Sequence, residues 1–305
     1  MKDELHVVTG ALGYTGKYIT RRLLAQGRRV KTLTGHPDRP NPFGDQISLA
    51  PFNFDNPAAL AESLRGTTTL YNTYWVRFSY GPATFDQAIE NTRTLFRAAQ
   101  EAGVRRVVHV SIANPSEDSP LPYYQGKALL EKSLIESGLP YAILRPAVIF
   151  GAEDVLINNI AWLLRRFPVF AVLGAGDYKL QPMFVEDMAD LAVSLGGQTE
   201  NVIVDAVGPE VYTFDALVRL IAQTVRSRAR IVYVPPRLGL FLSQVIGLFV
   251  GDVVLTREEV DGLMASLLVS SGSPTGRTRL SEWLAQHSAT VGAQYASEVK
   301  RHFRL

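Results

Sequence analysis

Cysteine is absent from this 305-residue chain. That excludes disulfides, thiolate metal ligands and cysteine nucleophiles, and it agrees with a reducing compartment. Histidine is scarce. The five residues are scattered without metal-ligand spacing, so structural or solvated roles are expected of them and no metal site. No excess of one charge is present either. With 31 basic and 29 acidic residues the net charge is +2, which gives no reason to expect a nucleic-acid partner. Met1-Lys2-Asp3-Glu4 has none of the apolar character of a signal peptide, so the expected location is cytoplasmic, or peripheral to a membrane. Long apolar runs are missing as well. The segment Leu238 to Val250 is almost wholly apolar, but at about 13 residues it falls short of the ~20 that span a bilayer. It fits either a buried helix or a contact with a membrane surface or partner protein. There is no internal repeat and no long linker.

What is present is organised around Thr9-Gly10-Ala11-Leu12-Gly13-Tyr14-Thr15-Gly16. The apolar run Leu5 to Thr9 precedes it and reads as a buried strand. Tyr18, Ile19, Leu23 and Leu24 follow at the spacing of one helix face, and Gly27 stands where a helix C-terminal cap belongs. The glycines therefore lie on a strand-to-helix turn. Glycine lets the backbone bend sharply and approach a ligand closely, and the N–H groups opening a helix favour a pyrophosphate. The context is that of a dinucleotide-binding turn, spaced G-x-x-G-x-x-G instead of the commoner G-x-G-x-x-G.

Short strands and helices alternate after this turn. Arg28 to Thr34 reads as a second strand, ending at Thr34, Gly35 and His36 without a carboxylate before Asp38. An acid at that place accepts from the ribose 2′-hydroxyl in NAD-preferring folds. Its absence, with Arg39 close by, leans toward a 2′-phosphate, hence NADP, with NAD as the alternative. Ile47 to Phe54 reads as a third strand ending at Asp55, Pro57 to Leu64 as a helix, and Thr69 to Thr73 as a fourth strand, with Asn72 and Thr73 at its ligand-facing end. The aromatic loop Tyr74 to Tyr80 leaves that end. It suits a substrate-pocket wall or a cover for the sheet edge. Asp86 to Ala102 is a helix with Ala88, Thr92, Leu95, Phe96 and Ala99 on one face, and Val107 to Val110 a fifth strand. Tyr141 to Gly151 reads as a sixth, passing Pro146 beside the cofactor. Together these elements predict an α/β fold with a doubly wound parallel sheet.

Beyond Gly151 the rhythm loosens. Helices are expected at Ile157 to Phe167, after Val185-Glu186-Asp187 and at Phe214 to Val225, and strands at Asn201 to Val207 and Arg230 to Val234. Leu280 to Phe303, with Trp283, Leu284, Tyr295 and Val299, reads as an amphipathic helical tail. Residues 1–150 are the expected nucleotide-binding domain. Residues 151–305 are the expected smaller C-terminal substrate lobe, interleaved with the first as one compact unit.

Tyr123 and Lys127 stand one helical turn apart in the stretch Ser119 to Lys127. A phenol of pKa ~10 is a poor acid–base catalyst at neutral pH, and a neighbouring ammonium lowers that value. The pair stands directly behind the fifth strand of a nucleotide fold.

These stretches give the chain its resemblance to the extended, atypical short-chain dehydrogenase/reductases, which have a Rossmann-type fold. The matching pieces are Val8 to Gly16, Asp55, Asn91-Thr92, Val110-Ser111, Tyr123-x-x-x-Lys127, Leu144-Arg145-Pro146-x-x-Ile149-Phe150-Gly151 and Val185-Glu186-Asp187. They cover about the first 190 residues. Val110-Ser111, Phe150 to Asp154 and Gln181 to Val185 are similar to the nucleotide-binding accessory subunits of respiratory complex I. The resemblance implies dinucleotide phosphates at Gly10 to Gly16, adenine contact at Asp55, Tyr123 as acid–base residue and Lys127 on the nicotinamide ribose. It also marks a departure. A catalytic Ser or Thr is usual about two residues beyond Ser111, where this chain has Ile112, Ala113 and Asn114, leaving Ser111 or Asn114 to substitute. Two functions follow from it. One is an NAD(P)-dependent oxidoreductase or epimerase acting on a small carbonyl or alcohol; the other is a non-catalytic NADP(H)-binding scaffold or assembly factor at a membrane complex.

Overall fold

The computed structural model of the chain describes residues 4–299. Its first half alternates strand and helix: β1 (Leu5–Thr9), α1 (Tyr14–Ala25), β2 (Arg29–Thr34), β3 (Ile47–Pro51), α2 (Pro57–Leu64), β4 (Thr67–Asn72), α3 (Phe85–Glu101), β5 (Arg106–Val110), α4 (Pro122–Glu136) and β6 (Tyr141–Pro146). Shorter strands follow among helices: β7 (Val148–Phe150), α5 (Leu156–Arg166), β8 (Val169–Leu173), β9 (Lys179–Leu180), β10 (Pro182–Phe184), α6 (Val185–Gly196), β11 (Val202–Ala206), β12 (Tyr212–Thr213), α7 (Phe214–Thr224), β13 (Arg230–Val234), α8 (Pro236–Val250), α9 (Arg257–Met264) and α10 (Leu280–Gln286). Two compact units result. Among the described residues the first takes 4–146 together with 188–205, the second 147–187 and 206–299.

The first unit is built on a seven-stranded sheet of order β3-β2-β1-β4-β5-β6-β11, parallel from β3 through to β6. This is the Rossmann-type doubly wound order. The chain starts at the centre, winds out through β2 and β3, and returns to wind the other way from β4. The point of reversal lies between β1 and β4, where open α/β sheets bind ligands at the strand C-termini. Val7, Leu33, Leu70, Val107 and Ile143 from five strands pack with Leu60, Leu64, Leu95, Phe96 and Leu134 from the covering helices. The α3 face legible in its spacing is the buried one, Ala88, Thr92, Leu95, Phe96 and Ala99 included. Residues 188–205 are fastened by Arg106, whose Nε donates to the Leu195 carbonyl at 2.8 Å and Nη2 to that of Glu200 at 2.7 Å, closing the α6 C-terminus.

Two strands end earlier than the sequence suggests. β3 stops at Pro51 and β6 at Pro146, because proline has no N–H to continue a ladder. After Pro51 the chain turns at Asn53, which has φ +48°. After Pro146 it leaves the sheet altogether, and β7 pairs with β10 in the second unit.

The second unit joins three small sheets: β7 with β10, β9 with β12 and β8 with β13. Its core gathers Phe150, Ile157, Leu164, Val172, Leu217, Ile221, Trp283 and Leu284. The expected helix over Leu280 to Phe303 is shorter, since α10 ends at Gln286, and residues 300–303 lie outside the described residues. The buried-helix reading of Leu238 to Val250 is overturned. The segment is helical, within α8, yet only Gly239, Ser243 and Gly247 are buried.

Asp187, in the first turn of α6, accepts from the N–H groups of Arg277 and Thr278 at 2.7 Å each and from the Thr278 hydroxyl at 3.1 Å. Asp187→Ala should lower the stability of the second unit by about 2 kcal/mol, since two backbone donors lose a charged acceptor. Urea unfolding that matches wild type would show that these bonds contribute nothing.

Candidate functional site

The glycine-rich turn is held by backbone. Gly10, at φ +67°, donates its N–H to the Leu33 carbonyl at 2.8 Å, and Gly13 donates back to the Gly10 carbonyl at 2.8 Å. Thr32 fixes the next residue from below: its hydroxyl accepts from Ala11 N–H at 3.0 Å and donates to the Val8 carbonyl at 2.8 Å. A Cβ on Gly16 would lie 2.3 Å from the Gly10 carbonyl oxygen, so no other residue lets α1 descend this closely onto the turn. Leu12, Gly13, Tyr14 and Thr15 stand half-buried along it. No side chain caps α1, and its first turn has no acidic residue. A phosphate there would meet a partial positive charge and no competing carboxylate.

Beside the turn, at the end of β4, the polar groups of Asn72 and Thr73 are engaged within the fold. The Thr9 hydroxyl donates to Asn72 Oδ1 at 3.1 Å, Tyr74 N–H donates to the same oxygen at 3.1 Å, and Asn72 Nδ2 donates to His109 Nδ1 at 3.0 Å. Thr73 donates from its hydroxyl to the Thr9 carbonyl at 2.5 Å and from its N–H to the Thr9 hydroxyl at 2.7 Å. Burial, and then Lys127, hold the His109 imidazole well below its ordinary pKa and therefore neutral. The sequence marked Asn72 and Thr73 as ligand-facing; their side chains form a knot joining β1, β4 and β5.

At the end of β2 the Thr34 hydroxyl accepts from His36 N–H at 3.0 Å, and Arg39 follows on a turn closed to the His36 carbonyl at 3.3 Å. Asp55 is exposed on the turn beyond β3. Between these positions lies an aromatic group that sequence reasoning missed. Phe52 and Phe54 stack at 4.8 Å, and Tyr74 meets them at 5.0 and 5.1 Å. Their i, i+2 spacing was the available signal. The Tyr74 hydroxyl accepts from Asn91 Nδ2 at 2.8 Å, and burial raises its pKa.

The third part of the site is on α4. Tyr123 lies half-buried with its ring 5.7 Å from Trp75 and 5.9 Å from Phe85, edge-on to both. Lys127 is 2% exposed. Its Nζ donates to the Val110 carbonyl at 2.8 Å and sits 4.5 Å from the centre of the Trp75 ring. Burial pulls this ammonium down to about 7, against a smaller upward pull from the Glu131 carboxylate. Trp75 thus touches both members of the Tyr123–Lys127 pair, and the aromatic loop is a wall at this point. Ser111 is bound differently. Its hydroxyl donates to Glu131 Oε1 at 2.5 Å, while Arg145 grips the same carboxylate through Nε at 3.0 Å and Nη2 at 2.5 Å. Glu131 is buried, one further turn along the Tyr123–Lys127 face, and that spacing could have identified it. Ala113 N–H donates to the Pro146 carbonyl at 2.8 Å, fastening the loop after β5 to the end of β6.

Removing Glu131 strands a partly buried guanidinium, so Glu131→Ala should cost about 3–5 kcal/mol in chemical denaturation. A loss under ~1 kcal/mol would show that Arg145 and Ser111 find solvent partners instead. Lys127 should impose a pH dependence. Between about pH 7 and the free-lysine value of 10.5 the folded amine is neutral while the unfolded one is charged. The unfolded chain then binds more protons, so stability rises with pH across that window. The difference in unfolding free energy between wild type and Lys127→Met should follow the same rise. Parallel pH profiles for the two proteins would contradict it.

Comparison with known proteins agrees with this geometry. An NAD(P)H-binding family matches residues 10–155. NADH dehydrogenase [ubiquinone] 1 alpha subcomplex subunit 9, mitochondrial, from Arabidopsis thaliana is 24% identical over 75% of this chain and 60% of its own length. The Mus musculus protein of the same name is 28% identical over 88% of this chain and 73% of its own. This chain therefore spans less than two thirds of the plant relative. Among solved structures, the NADPH-dependent quinone oxidoreductase of Escherichia coli in complex with NADPH superposes with a TM-score of 0.73 at 21% identity, covering 92% of this chain and 99% of that one, which establishes the shared fold. Residues 10–155 accordingly carry an NAD(P)H-binding sequence on a Rossmann-type fold, and the chain is similar over most of its length to subunit 9 of the complex I alpha subcomplex.

Proposed function

We propose that the protein holds NADP(H) in its first unit as a binding component of a larger assembly, and that it does not depend on turnover through Tyr123. The observation that carries this reading is the binding of Ser111 to Glu131. Its hydroxyl proton is directed at a buried carboxylate already gripped by Arg145, and no Ser or Thr follows at the next three positions. The homology to complex I subunits supports an assembly at a respiratory membrane, with another protein or the membrane surface as partner.

The residues fit the cofactor. The uncapped α1 N-terminus and the glycine-only approach at Gly16 suit a pyrophosphate held by backbone from Gly10 through Leu12, Gly13, Tyr14, Thr15 and Gly16. Thr34, His36 and Arg39 would receive a 2′-phosphate, in keeping with the missing carboxylate at the end of β2, and Asp55 the adenine. Lys127 would reach the nicotinamide ribose from under Trp75, between Asn72–Thr73 and Pro146. NADP(H), once bound, supplies a hydride donor or acceptor.

A second reading is hydride transfer to a small carbonyl compound, or from an alcohol, with Tyr123 moving the proton. It draws on one observation. Tyr123 and Lys127 share a face of α4 and a common neighbour in Trp75, and an amine near neutral titration suits acid–base work.

Calorimetry should find NADPH bound more tightly than NADH. The preference should shrink in Arg39→Ala, and binding should be lost in Gly13→Val, whose added bulk occupies the phosphate approach. Tighter NADH binding would overturn the cofactor assignment. In a complementation assay Tyr123→Phe should match wild type while Gly13→Val fails. A fall of about 10²–10⁴-fold in a carbonyl-reductase rate on Tyr123→Phe would instead establish the hydride-transfer reading.

A further inference from the structure

Helix α8 presents its large apolar side chains outward. At 100° per residue Leu238, Phe241, Leu242, Val245, Leu248 and Phe249 fall within an arc of about 120°. Leu248 is 85% exposed and Phe249 87%. The opposite side is a stripe of small residues, Gly239, Ser243 and Gly247, which are the buried ones. A Cβ on Gly239 would lie 1.9 Å from Leu173 Cδ2 and 3.5 Å from Val234 Cγ2, so the small stripe seats the helix on β8 and β13. On the sheet face that bears those two residues, strand alternation places Val169, Val232 and Arg230, and all three are exposed.

We infer that α8 is a docking helix for an anionic lipid surface, against which it lies with Leu248 and Phe249 inserted. Its 15 residues are about 22 Å long, short of the ~30 Å hydrocarbon core, and among the described residues no helix is long and apolar enough to cross a membrane. An apolar arc of this width suits burial along the interface. The charge around it selects the kind of surface. From residue 226, just before β13, to the end of α8 there are four arginines and no acid, whereas Arg219 upstream is paired with Asp215 at 2.7 Å; the next acid after α8 is Asp252. Asp252 is itself occupied, accepting from the N–H groups of Glu298 and Val299 at 2.9 Å each. Arg237, on the first turn of α8, is exposed next to the apolar arc. Basic residues flanking an apolar insertion are attracted to anionic headgroups. A second copy of the chain would bring like arginines together around the same contact, which disfavours self-association as the cover.

The test is sedimentation of the full chain with vesicles of phosphatidylcholine alone and of equal parts phosphatidylcholine and phosphatidylglycerol. The protein should pellet with the anionic vesicles and much less with the neutral ones, and added salt should release it. Leu248→Asp/Phe249→Asp should lose binding on the order of tenfold or more at unchanged melting temperature, since both side chains are exposed. Arg230→Gln/Arg237→Gln should reduce the preference for anionic vesicles. Three results would overturn the inference. They are wild-type protein left in the supernatant with both vesicles, equal pelleting by the Leu248/Phe249 variant, and a vesicle-independent dimer that this variant dissociates. Cofactor affinity is read separately, so failure here leaves the NADP(H) assignment standing and failure there leaves this one.

Discussion

A carbonyl oxygen meeting a Cα with no room for a side chain governs the first unit. Gly16 rests on the Gly10 carbonyl at a distance that a Cβ would reduce to 2.3 Å. That contact fixes where α1 starts and how it leaves β1. It places the N-terminus of α1 at the reversal between β1 and β4, where the neighbouring strands to either side run outward. The parallel order from β3 to β6 then follows, because each crossover carries the chain back to the end of the sheet at which the previous strand began. Binding capacity is a by-product of packing here. A helix seated so low exposes its first N–H groups where β1 and β4 end.

The same first unit shows how buried polar groups limit chemistry. Ser111, just after β5, Glu131 of α4 and Arg145 of β6 satisfy one another. Thr9, Asn72 and His109 do so across β1, β4 and β5. Buried polar groups need partners, and these networks supply them. A hydroxyl that completes a network is bound to it. Ser111 therefore stabilises a carboxylate, while Tyr123 and Lys127, on the same face of α4, both pack against Trp75.

Legibility in the sequence divides along physical lines. The central strands and their helices were readable because each buries a continuous apolar run or face, as with Val7-Val8 in β1 and the α3 stripe from Ala88 to Ala99. The glycine turn was readable because close approach admits one residue type. The limits of β3 and β6 needed more weight on Pro51 and Pro146 than on the apolar residues that follow them. The two- and three-residue strands β7, β9, β10 and β12 have no period of their own and exist through their partners. β8 did leave a signal, the apolar Val169 to Leu173 between Pro168 and Gly174. Glu131 and Phe52 were missed because their roles arise from residues distant in sequence: Arg145 for the first, Tyr74 for the second.

Helix α8 shows why hydropathy alone could not decide its fate. A helix apolar all round can be buried or presented, and the average over its residues is the same in both cases. What decides is which face can approach the body most closely. Gly239, Ser243 and Gly247 let the backbone itself come into contact, so that side gains the most packing per residue and turns inward. The large side chains are then left outside by geometry, although they are the more hydrophobic. Had the small residues been shifted by two positions, the wide arc would have faced β8 and the helix would have become part of the core. The outward arc is thus a consequence of residue size at three positions.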